Sequence, residues 1–105
     1  MDLLPAELFV TTSPKKFAKK LRPWEEYRHE EDYLGLTQFV ARTDRKPLVL
    51  VYIRPGNDRI ATCIHEAVHV WQYCTEYMCE DKAGREIEAY AIQKIAMHLL
   101  KKTAT

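Results

Sequence analysis

Thr62-Cys63-Ile64-His65-Glu66-Ala67-Val68-His69-Val70-Trp71 holds two histidines four residues apart, with a glutamate directly after the first. No Pro or Gly falls between Ile60 and Cys79, so a helix is expected there, running to about Cys79. Residues four apart on a helix lie one turn above each other, so His65 and His69 share a face. Two imidazoles on one face can hold one zinc ion, and Glu66 beside them is a candidate base for a metal-activated water. At about 100° per residue, Ile60, Ile64, Ala67, Val68, Trp71, Cys74 and Met78 form one apolar stripe. His65 and His69 fall on the other side with Thr62, Gln72, Tyr73 and Glu76. An exposed histidine pair on an amphipathic helix would give no reason for the glutamate between them.

The surrounding chain is short. Its 105 residues are expected to form a single domain, residues 1–105, and 47% hydrophobic content suits one modest core. A net charge of +1 supplies no global field for nucleic acid or membrane. No run approaches the roughly eighteen apolar residues that span a bilayer. The start, Met1-Asp2-Leu3-Leu4-Pro5, lacks the basic and apolar regions of a signal peptide. Three cysteines, an odd number, show no paired framework. A cytoplasmic location with reduced thiols is expected, and Cys63, Cys74 and Cys79 read as small core residues.

Before the motif, Leu8-Phe9-Val10 reads as a short strand. Ser13-Pro14 is an N-cap followed by proline in the first turn, opening a helix over Pro14–Leu21. That helix turns Phe17, Ala18 and Leu21 inward and Lys15, Lys16, Lys19 and Lys20 outward. The lysines, with Arg22, read as a solvated face rather than a nucleic-acid site. The patch is short, has no interleaved aromatics, and is followed by acidic Glu25, Glu26, Glu30, Glu31 and Asp32. His29, among these acids, reads as a surface histidine.

Tyr33 to Ala41 suggests a strand with an irregularity near Gly35. Thr43 to Pro47 is a turn, and the apolar run Leu48-Val49-Leu50-Val51-Tyr52-Ile53 is the clearest strand. The two strands form a β-hairpin, and Asp58 can cap the motif helix. After a short connection at Glu80 to Gly84, a last helix covers about Arg85 to Lys102, with Ile92, Ile95, Ala96 and Leu99 as its apolar stripe.

Catalytic zinc takes three protein ligands and an open position. Glu88 falls in the apolar stripe of the last helix, while Glu86 points about 160° away. A core-facing carboxylate needs a partner, so Glu88 is the preferred third ligand; Glu86 is its rival, and a salt bridge from Glu88 the plainer alternative.

His65-Glu66-Ala67-Val68-His69, followed by Glu88-Ala89-Tyr90-Ala91, resembles the gluzincin branch of zinc metallopeptidases. The likeness covers about Asp58 to Leu99 and is greatest to very small single-domain members, including phage-encoded and bacterial metallopeptidase-like proteins. For a phage-encoded protein, the location would be the host cytoplasm. The metzincin pattern is absent, since Gln72 and Thr75 stand where it needs Gly and His.

The resemblance implies an α+β, zincin-like minimal domain. It would hold a short N-terminal helix, a β-hairpin or small antiparallel sheet, and an active-site helix packed on a C-terminal glutamate helix. It implies Zn2+ held by His65, His69 and Glu88, and peptide hydrolysis through a zinc-activated water with Glu66 as general base. The expected partner is a peptide or protein substrate. Tyr52, Tyr73, Tyr90 and His98 are candidate oxyanion donors, and Leu48–Ile53 is a candidate edge for an extended substrate. The small size leaves a non-catalytic, zinc-stabilised interaction domain as the second hypothesis, and nucleic-acid binding through Lys15 to Arg22 as the third.

Overall fold

A computed structural model describes residues 4–78 and 84–104. Cys79 and the connection expected at Glu80 to Ala83 lie outside the described residues. The elements in order are β1 (Glu7–Thr11), α1 (Pro14–Leu21), β2 (Gly35–Val40), β3 (Leu48–Ile53), α2 (Arg59–Tyr77) and α3 (Arg85–Thr103). The α+β class stands, and no described helix is long and apolar enough to cross a membrane.

β3 is an unbroken apolar run because both of its faces are covered. Val49, Val51 and Ile53 point to one core with Cys63, Ala67, Val70 and Cys74 of α2 and Ile95 and Leu99 of α3. Leu48, Leu50 and Tyr52 point the other way, to Phe17 and Leu21 of α1. The period-two alternation of a strand therefore feeds two cores, and the molecule has three layers: α1, the sheet, then α2 with α3.

The sheet order is β1-β3-β2. β2 pairs antiparallel with β3, with Thr37 opposite Val51, as the expected hairpin requires. β1 pairs parallel with β3, with Leu8 opposite Val49. A small antiparallel sheet is thereby corrected to a mixed one. The parallel pairing joins β1 to the strand after next, with α1 in the crossover. It also moves β3 to the centre, so Leu48–Ile53 has no free edge for a substrate; the free edges belong to β1 and β2.

α1 has its expected bounds, and the Ser13 hydroxyl accepts the Lys16 amide at 3.2 Å as its cap. Asp58 stands at the N-cap of α2 without a side-chain capping bond, because its backbone is not extended there. The buried stripe of α2 is Cys63, Ala67, Val70 and Cys74, not the one centred on Ile64 and Trp71. Ile60 and Ile64 are more than half exposed. Small side chains let α2 lie close to both the sheet and α3, so close approach outweighs the burial of the larger residues.

Candidate metal centre

α2 carries His65 and His69 on its solvent side, as the i, i+4 spacing dictates. Their Nε2 atoms face each other at 3.2 Å. Two nitrogens held about 2.0–2.1 Å from a tetrahedral zinc stand about 3.3–3.4 Å apart, so the spacing of the pair is close to that of two ligands of one zinc ion. His69 Nδ1 lies 3.1 Å from the Gln72 amide oxygen. With Nδ1–H donating to that oxygen, Nε2 keeps its lone pair for a metal.

Glu66 faces the other way, towards the sheet, and is buried at 5% exposure. Thr37 lies on the α2 face of β2, and its hydroxyl donates to Glu66 Oε1 at 2.7 Å. A buried carboxylate costs free energy unless it is hydrogen-bonded, and Thr37 supplies that bond. Gly35 makes the approach possible: a Cβ there would stand 2.5 Å from Thr62 Cγ2 and 3.0 Å from Glu66 Oε2. The irregularity read at Gly35 is thus a close approach of β2 to α2.

His65 and Glu66 open onto a cleft of about 490 Å³ between the start of α2 and the segment leading into β2. Asp32, Tyr33, Gly35 and Asp58 line it as well. Tyr33 lines this wall, while its ring packs edge-on against His29 on the α1 side of the sheet. None of the four expected oxyanion donors lines it: Tyr52 packs against Phe17 and His29, Tyr73 stacks on Phe39 at 5.7 Å, Tyr90 is exposed, and His98 sits on α3.

Glu88 is not brought to the histidines. Its stripe is real further along, where Ile95, Leu99 and Thr103 are buried. Arg85 to Tyr90, however, are all exposed, because α3 begins beyond the edge of the core. Glu88 instead accepts from Trp71 Nε1 at 3.1 Å. Trp71 points about 160° around α2 from His69 at 100° per residue, so this carboxylate lies across the helix from the pair. Glu86 is exposed as well. Among the described residues, no three His, Cys, Asp or Glu side chains converge as a metal seat. The histidine pair therefore offers two of the three ligands that a catalytic zinc takes, and Glu88, held on Trp71, does not supply the third in this arrangement.

Cys63 and Cys74 are buried and unpaired, as core residues should be. Burial pushes the Cys74 thiol upward. His29 is half-buried rather than a free surface histidine. Its ring lies 4.6 Å from that of Tyr52 and 5.3 Å from that of Tyr33, and Nδ1 lies 2.6 Å from the Tyr27 hydroxyl. Burial pushes that hydroxyl up to about 12, so it stays protonated and can donate to His29.

Sequence reasoning did not single out Thr37, Gln72, Tyr33 or the roles of Asp32 and Asp58 in the cleft. Only Gly35 had left a signal, as a glycine inside a strand pattern. No protein-family model, no curated protein and no solved structure matches the chain.

Proposed function

We propose that the protein is a zinc-dependent peptide hydrolase in which His65 and His69 hold the metal and Glu66 is the general base. The observation that carries this is the 3.2 Å separation of the two Nε2 atoms, beside a buried glutamate that opens onto the same cleft. Zinc, when bound, supplies Lewis acidity to the scissile carbonyl and to water. Glu66 takes a proton from water in the cleft and returns it to the leaving amine. The Thr37 hydroxyl fixes the carboxylate orientation through Oε1. Among the described residues the outer edge of β2 is unpaired, and it begins at Gly35 on the cleft wall, so an extended peptide can add to it as a strand.

With Glu88 held on Trp71, the described residues offer the metal two ligands rather than the three of a catalytic site, and this favours a second reading. In it the histidines hold a metal in an interaction domain without hydrolysis.

Metal content and peptide cleavage on one set of proteins separate the two. About one zinc per chain is expected in the wild type and none in His65→Ala or His69→Ala. Glu66→Gln should keep the zinc and lose at least about a hundredfold in kcat/KM. Retention in Glu88→Ala is expected from the arrangement described; loss there would restore Glu88 as third ligand. Zinc without Glu66-dependent cleavage would establish the second reading. No zinc after reconstitution would overturn both.

A further inference from the structure

On the far side of the sheet from the histidines, the fold joins residues that are separate in sequence. Lys15, Lys16 and Lys19 of α1 are exposed and Lys20 is half-exposed, and α1 contains no acidic residue. Two aromatic rings from outside the helix meet this basic face, Phe9 from β1 and Trp24 from just beyond α1. With Lys16, Lys19, Lys20 and Pro23 they line a groove of about 390 Å³. The Lys20 ammonium stands 5.4 Å from the Phe9 ring centre. The Arg42 guanidinium stands 6.0 Å from the Trp24 ring centre while paired with Glu7 at 2.7 Å. Trp24 remains 41% exposed. None of the three lining lysines has an ion-pair partner among the described residues, and no carboxylate lines the groove.

We propose that this groove binds single-stranded nucleic acid, with a base stacked on Trp24 and backbone phosphates on Lys16, Lys19 and Lys20. Lysines at i, i+3 and i+4 present ammoniums along one face, with Cβ atoms about 5–6 Å apart. A single strand offers a phosphate at every nucleotide and an exposed π-face at every base, and the groove offers the complement of both. A duplex hides its bases in the stack. An acidic peptide satisfies the lysines but leaves the indole without a partner. The absence of aromatics within Lys15 to Arg22 is a property of the linear order only; Phe9 and Trp24 arrive through the sheet and the turn after α1. The site is independent of the histidine pair.

The test is fluorescence anisotropy with a labelled twelve-residue oligothymidylate on the full chain, titrated from low to moderate salt. Three phosphate contacts at about −0.7 each give an expected slope of about −2 in log K against log salt. Lys16→Gln, Lys19→Gln and Lys20→Gln together should flatten that slope. These lysines are on the solvent side of α1, so the fold should be kept, with circular dichroism as the check. Trp24→Ala should weaken binding about tenfold, and Trp24→Phe should recover most of it. Absence of binding at low salt would overturn the proposal. So would binding that Trp24→Ala leaves unchanged, since that is charge attraction alone. Equal competition by oligoglutamate would assign the groove to acidic peptides instead, and preference for a duplex would assign it to double-stranded shape.

Discussion

Of the three glycines, Gly35 is the one at which an added Cβ would meet a neighbour. Its missing side chain lets β2 lie against Thr62 and Glu66 of α2. Gly35→Ala is expected to push Glu66 off its Thr37 bond and to destabilise the fold by about 1–3 kcal/mol, as overpacking does. Thr62→Ser removes the Cγ2 atom that a new Cβ would meet at 2.5 Å. The double variant should therefore regain part of the loss, a coupling that a denaturant double-mutant cycle measures. Additive losses would show that the contact with Glu66, not Thr62, sets the cost.

Between elements, α2 and α3 are held together at both ends by different chemistry. Near the start of α2, Arg59 donates to the Leu100 carbonyl and to the Thr103 hydroxyl, each at 3.0 Å. Further along, Trp71 donates to Glu88. His98 lies on α3, and burial, helped by the charges of Lys101 and Lys102, holds its imidazole below its ordinary value of 6.5. The folded chain then binds fewer protons than the unfolded chain just below that value. Stability should be level above about pH 7 and fall as the pH drops through the unfolded value near 6.5, levelling out only below the folded one. His98→Gln should flatten urea-unfolding stability between pH 7 and 5 relative to the wild type. An unchanged slope would place the pH dependence in other groups.

The whole molecule is organised by β3, which feeds two cores at once. Leu50 faces α1 and Val51 faces α2 and α3, and both are fully buried. Leu50→Ala is expected to cost about 2–5 kcal/mol. Because neither core survives without the strand they share, the loss should appear as one earlier cooperative transition by both near-UV and far-UV circular dichroism. Separate transitions for the α1 side and the α2–α3 side would show that the layers fold independently. This layering also keeps the two proposed sites apart, the histidine pair beside α2 and the basic groove beside α1.

The sequence by itself determined what depends on neighbours along the chain. The i, i+4 histidines, the Ser13 cap, the bounds of α1 and β3, and the pairing of β2 with β3 follow from helical and strand periodicity and from local turn chemistry. The apolar stripe of α3 was legible for the same reason. Only the tertiary structure decided which groups meet across elements. It set β1 parallel to β3, turned α2 so that Cys63, Ala67 and Val70 face inward, brought Thr37 and Gly35 to Glu66, and carried Phe9 and Trp24 to the lysines. It also left the first turns of α3 beyond the core, so Glu88 meets Trp71 rather than the histidines. Periodicity tells which side of a helix is apolar. How far the helix overlaps its neighbours, and which of two apolar sides packs closest, depends on shape and spacing that no stretch of sequence contains alone.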